Sequence, residues 1–197
     1  AVGTLCLVDR EPRSLSPKDR ELLQDLAAMA EDEIAAIQSA TIDHLTQMSN
    51  RRGFEVLGNH VLATCARLSL PATLLFFDLD GFKQINDQHG HSEGDRALQR
   101  FAEAMSLTFR TSDVYARLGG DEFVVLLSNT SEPEIHAALE RLQHAIDASN
   151  ANVVPGLHLR FSAGAVTSEA GSEDIAALLR KADQRMYENK RLRRTAV

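Results

Sequence analysis

The stretch RLGGDEFVVLL, residues 117–127, constrains the fold more than any other. DVYARL runs up to Gly119-Gly120, and the apolar run EFVVLL follows almost at once. Two strand-like runs joined through a glycine pair read as a β-hairpin, because glycine takes positive φ without steric cost. The middle of the chain must therefore contain antiparallel pairing. Asp121 and Glu122 are then pressed between the turn and the start of a strand, where turn formation alone does not require them.

Elsewhere the chain alternates helical and strand patterns. ATLLFFD (72–78) is a continuous apolar run and predicts a central strand ending at Asp78. Helices are predicted from the junction to about Ser69, over 91–109, over 131–149 and over 172–194, the last ending in a basic cluster. LHLRFSAGAV (157–166) alternates as a strand does. With a hairpin at the centre of this order, the fold class is α+β rather than a doubly wound parallel sheet.

Before residue 41 the pattern differs. GTLCLVD (3–9) reads as a strand, and Ser16 as an N-cap with Pro17 at the first helical position and Asp19 in the first turn. The helix that follows carries Leu22, Leu26, Met29 and Ala36 on one stripe, widened by Leu23, Ala30, Ile34 and Ile37. Such a stripe suits packing on a domain or pairing with another helix. TIDHLTQMSNRRGF (41–54) breaks the periodicity and reads as a junction, giving a segment 1–40 and a domain 41–197. The strand already under way at Ala1 suggests a piece of a longer protein.

A net charge of −7 over 197 residues argues against a general nucleic-acid coat, which needs lysine and arginine. Cys6 and Cys65 stand in no metal-ligand spacing and read as reduced thiols, which suits the cytoplasm. No apolar run approaches the roughly 18 residues of a membrane span.

The acids define the chemistry. If the strand ending at Asp78 neighbours the one after the hairpin turn, Asp78, Asp121 and Glu122 converge at one sheet edge. Hard oxygen donors so gathered suit Mg²⁺, and paired metals can activate a hydroxyl and steady a leaving phosphate. Spacing alone leaves open that they are ordinary strand-end and turn residues. DLDGFKQINDQHGHSEGD (78–95) adds a glycine-punctuated helical turn whose free N–H groups suit phosphate oxygens. Asn86 and Asp95 could read a guanine edge, accepting from N1–H and the exocyclic amine. His89 and His91 have no nearby cysteine or third histidine to make a zinc site.

Together GGDEF, DLDGFKQINDQHGHSEGD and DHLTQMSNRR resemble the GGDEF family of diguanylate cyclases over about residues 41–194. The resemblance implies a largely antiparallel central sheet wrapped by helices, akin to polymerase palms and class III nucleotide cyclases. It implies condensation of two GTP into cyclic di-GMP and two diphosphates, each 3′-hydroxyl attacking the other α-phosphate across a homodimer. By position, Asp78, Asp121, Glu122 and the carbonyl of Leu79 would hold two Mg²⁺ or Mn²⁺ ions, and Asn86 and Asp95 would read guanine. Phe82 and Lys83 would present N–H groups to phosphates beside Gly119 and Gly120, with Lys190 and Arg194 on the β- and γ-phosphates. RTSD (110–113) resembles the family's inhibitory RxxD motif, where Arg110, Asp113 and Arg141 would hold cyclic di-GMP.

Two departures stand out. Met48 replaces a usual leucine, a volume-conserving change. Arg193 replaces a glycine that commonly precedes Arg194. The first 40 residues resemble the last strand and helix of a GAF sensor domain, whose helix would set how paired catalytic domains face each other. The intact acids favour a live enzyme over a module that only binds cyclic di-GMP or GTP, and Asn86 with Asp95 favours guanine over adenine.

Overall fold

The computed structural model describes residues 14–168 and 173–195, together with 3, 4, 6, 8 and 10. The chain divides into two compact units, 1–41 and 42–197.

The first unit is built on α1, Pro17–Thr41. Its start is capped reciprocally: Asp19 N–H donates to Ser16 Oγ (3.2 Å) and Ser16 N–H to the Asp19 carboxylate (2.9 Å). Leu22, Leu26, Met29, Ile34 and Ile37 are exposed. The strand expected over 3–9 falls largely outside the described residues.

The second unit holds an antiparallel sheet of β1 (Ala72–Leu79), β2 (Val114–Gly119), β3 (Glu122–Ser128) and β4 (Phe161–Ser168), in the order β2-β3-β1-β4. Its helices are α2 (Arg51–Leu68), α3 (Phe82–His89), α4 (His91–Thr108), α5 (Glu132–Asn150) and α6 (Ile175–Thr195). β1 and β3 are internal strands with both faces covered, which is why they read as unbroken apolar runs. Leu75, Phe77, Phe123 and Val125 face Phe101 and Met105 of α4 and Leu142 and Ile146 of α5. Leu74, Phe76, Val124 and Leu126 face Phe54 of α2 and Leu178 and Ala182 of α6. The Phe101 ring lies 4.9 Å from Phe123 and 5.7 Å from Phe161, centroid to centroid. Each such burial contributes roughly 1.5–3 kcal/mol, so this aromatic group anchors α4 against the end of the sheet that carries Asp78. Among the described residues no helix is long and apolar enough to cross a membrane.

Two stretches depart most from expectation. β4 starts at Phe161 rather than 157. Pro155–Leu157 forms a 3₁₀ turn, and Asn150 takes both backbone groups of Leu159: its Oδ1 accepts from the N–H (2.7 Å) and its Nδ2 donates to the carbonyl (2.8 Å). Side chains thus satisfy backbone that a strand ladder would otherwise use. The expected junction, 41–54, is also more ordered than its polarity suggests. Asn50 caps α2 by accepting from Gly53 N–H (3.0 Å), Met48 is buried, and Arg117 N–H donates to Ser49 O (3.0 Å).

Candidate active site

β1 and β3 are neighbours, and their register sets Asp78 opposite Glu122. Leu79 N–H donates to Asp121 O (3.2 Å), so the hairpin turn is stitched to the end of β1. The three acids therefore share one end of the sheet. The turn itself lies one residue later than the sequence suggests. A bulge between Arg117 and Gly119 keeps Gly119 in β2 (φ 144°), and the loop pair is Gly120 (φ 53°) and Asp121. That shift places Asp121 at the tip rather than after it.

Crowding shows in the acidities. Burial raises the Asp121 pKa, the charge of Asp78 raises it further, and Lys190 and Arg117 oppose. Burial also raises Glu122, with Arg51 opposing and Asp183, Asp121 and Asp78 adding to the rise. The Lys190 ammonium contacts Asp78 Oδ1 and lies 3.5 Å from Asp80 Oδ1. Asp80 is fixed in turn: Ser162 Oγ lies 2.9 and 3.1 Å from its two oxygens, and its N–H donates to Arg160 O (2.8 Å). Arg51 Nη2 lies 3.7 Å from Glu122.

Residues that the pattern did not single out brace the turn. Arg117 donates from Nε to Gly120 O (3.0 Å) and from Nη1 to both Asp43 oxygens (3.1 Å each). Burial pushes the Asp43 carboxyl up, but the Thr46 hydroxyl and N–H and the Arg117 guanidinium together hold it below the ordinary range. A charged pair this enclosed ties the start of the second unit to the loop that carries Asp121.

The other expected residues fall as follows. Gly81 (φ 75°) caps α3, so Phe82 and Lys83 occupy its first turn, where N–H groups lack helical acceptors. Asn86 packs directly over Gly94, beside the exposed Asp95. Lys190 reaches the carboxylates; Arg194 lies in α6, with its side chain outside the described residues. Arg110 N–H donates to Asp113 (2.9 Å), whose pKa burial raises against that bond and the Arg110 charge. Arg110 also lies 3.9 Å from Glu134 of α5, and Arg141 is exposed further along the same helix. A groove of about 1180 Å³ runs from Asp80, Gly81 and Lys190 to Asp147 and His158, adjoining the acids without including Asp121 or Glu122.

Among the described residues, no three acidic, histidine or cysteine side chains close into a metal cage. The donors are instead an open set of carboxylates at one sheet end, with the Asp121 pKa raised first by burial and then by the Asp78 charge. Such a set fits a hard cation that keeps water and phosphate in its remaining positions, as Mg²⁺ does.

Residues 40–196 match the model of the family described as "Diguanylate cyclase, GGDEF domain". The probable diguanylate cyclase DgcC of Escherichia coli strain K12 is 32% identical over 168 residues, which cover 85% of this chain and 45% of DgcC. This chain thus spans under half of that relative. The coiled coil and GGDEF domain of Caulobacter crescentus DgcB, solved with c-di-GMP, shares the fold. Its TM-score is 0.79 at 22% identity, over 87% of this chain and 92% of that one. The active GGEEF domain of a Vibrio cholerae diguanylate cyclase superposes with a TM-score of 0.67 at 31% identity, over 74% of this chain and 92% of that one.

Proposed function

Because this chain belongs to the GGDEF family of diguanylate cyclases, we propose that it condenses two GTP into cyclic di-GMP and two diphosphates. The observation that carries the proposal is the register of β1 against β3, which sets Asp78, Asp121 and Glu122 at one sheet end beside Lys190.

Asn86 and Asp95 accept hydrogen bonds from the guanine edge and fix the nucleoside. The first-turn N–H groups of Phe82 and Lys83 receive phosphate oxygens, and Lys190 with Arg194 neutralises the β- and γ-phosphates. Asp78, Asp121, Glu122 and the Leu79 carbonyl are the residues that would hold two Mg²⁺ or Mn²⁺ ions. When bound, these supply Lewis-acid polarisation of the phosphoryl oxygens and acidify the attacking hydroxyl. The 3′-oxygen bonds to the α-phosphorus of the other GTP, the bond to diphosphate breaks, and we assign the released proton to Glu122. Two such attacks close the ring. Each domain binds one GTP, so a homodimer is the working form, in the cytoplasm where GTP is made. Incubation with GTP and Mg²⁺, followed by chromatography, tests the proposal: cyclic di-GMP from the wild type and none from Asp121→Asn. A folded, dimeric chain that makes no product would instead be a module binding cyclic di-GMP or GTP.

Guanine reading has its own test. A Cβ at Gly94 would overlap Asn86 Oδ1 and force that amide to rotate. Gly94→Ala should raise KM for GTP about tenfold, the scale of losing one or two well-placed hydrogen bonds. Mn²⁺ affinity should be unchanged. An unaltered KM would remove Asn86 from guanine recognition.

Product is expected to inhibit at Arg110, Asp113 and Arg141, where guanidinium forks suit phosphates and guanine edges. Arg110→Ala should keep its initial rate as cyclic di-GMP accumulates, whereas the wild type slows. Superimposable progress curves would exclude that site.

A further inference from the structure

Lys190 is more than a phosphate contact waiting for its ligand. Its ammonium sits against Asp78 Oδ1 and within 3.5 Å of Asp80 Oδ1, and its side chain is only 18% exposed. Asp80 is pinned by Ser162 and by the Arg160 carbonyl. The lysine is therefore held between two acids at the end of β1. An Asp78 oxygen engaged with an ammonium cannot give the same lone pair to a divalent cation.

We propose that Lys190 is a built-in counterion that competes with the divalent metal for Asp78 and couples metal binding to triphosphate binding. The proposal deepens the assignment of Asp78 to metal and Lys190 to phosphate. A cation that takes Asp78 displaces the ammonium and frees it for the phosphate chain. Phosphates that draw the ammonium away leave Asp78 open to the cation. Each ligand thus removes the other's competitor, and by linkage the coupling is equal in both directions. No bond is made or broken, and only the partner of one ammonium changes. The arrangement also keeps Asp78 from standing bare beside Asp121, whose charges repel.

The test uses the nucleotide-free chain and Mn²⁺ alone, titrated by electron paramagnetic resonance. Lys190→Met should bind Mn²⁺ about tenfold more tightly than the wild type, the scale of a charge-assisted hydrogen bond. Equal or weaker binding by the folded variant overturns the proposal. Asp78→Asn provides the separating arm. If it leaves Mn²⁺ binding intact in both backgrounds, the assignment of metal to Asp78 fails, and the competition fails with it. If it abolishes binding while Lys190→Met changes nothing, the metal assignment stands and only the competition is lost.

A measurement on the wild type covers the case in which Lys190→Met does not fold. The chain has four lysines, Lys18, Lys83, Lys181 and Lys190, so amine acylation can be read site by site by mass spectrometry. Adding Mn²⁺ without nucleotide should raise the labelling rate at Lys190 severalfold and leave Lys18 and Lys181 unchanged. An unchanged rate at Lys190, at Mn²⁺ concentrations that saturate the signal, overturns the proposal.

Discussion

Asp121→Asn is expected to end cyclic di-GMP formation while making the protein more stable. The loss should be roughly 10³-fold, the scale of removing a preorganised group that stabilises developing charge. The gain follows from electrostatics. Burial and the Asp78 charge hold the Asp121 carboxyl above the ordinary aspartate range. A raised acid binds more protons in the native state than in the unfolded chain between the two pKa values. Stability is therefore highest below the unfolded pKa and declines as pH rises through the folded one. Asparagine is similar in shape and cannot ionise, so it removes both the repulsion and this part of the pH slope. A gain of about 0.5–1 kcal/mol is typical of relieving such functional strain, and it should raise Tm by about 1–4 °C in a chain of this size. Calorimetry at neutral pH and at pH 4 reads both. A Tm that falls on substitution would mean that attraction from Lys190 and Arg117 outweighs the repulsion.

The hairpin was legible because its evidence is local. A glycine pair between two apolar runs allows little else, and the antiparallel sheet follows from it. The meeting of Asp78 with Asp121 and Glu122 was legible on one condition, that β1 and β3 be neighbours, which the register satisfies. Smaller shifts were not legible. The bulge after Arg117 that moves the turn by one residue leaves no mark in periodicity, and neither does the capture of Leu159 by Asn150 that delays β4. Least legible were side-chain pairs between distant segments. Lys190 and Asp78 are 112 residues apart, and Arg117 and Asp43 are 74 apart. A charge on a helix end or in a polar stretch is ordinarily solvated, so composition gives no reason to expect these partners. Lys190 could be read as a phosphate contact by resemblance, yet its hold on the acids appears only in three dimensions.

Gly164→Ala should be the most damaging single methyl that can be added near the site. Gly164 lies in β4 opposite Phe76 of β1, on the face that α6 covers. A Cβ there would overlap Met186 N and Ala182 O and stand 2.8 Å from Met186 Cα. These are backbone atoms of α6 and cannot rotate aside, so the helix would have to move bodily off the sheet. Overpacking costs about 1–3 kcal/mol, and a backbone clash belongs at the upper end. Tm should fall by roughly 6–12 °C. Lys190 is one turn beyond Met186 and would move with the helix, away from Asp78. A displacement near 1 Å at a positioning group costs about 10²-fold in rate, so turnover should drop even where the variant remains folded. Gly58→Ala is the matched comparison, because its Cβ would meet the tip of the Ile175 side chain at 3.0 Å, which can give way. Alanine also favours the helix by about 1 kcal/mol over glycine, so Gly58→Ala should be near neutral in both Tm and rate. If Gly164→Ala were equally neutral, close approach at Gly164 would not set the seat of α6. Lys190 would then owe its position to the bonds from Arg185 to Ala165 O (2.6 Å) and Asn189 to Ala163 O (2.9 Å), and cutting those two would be what releases it.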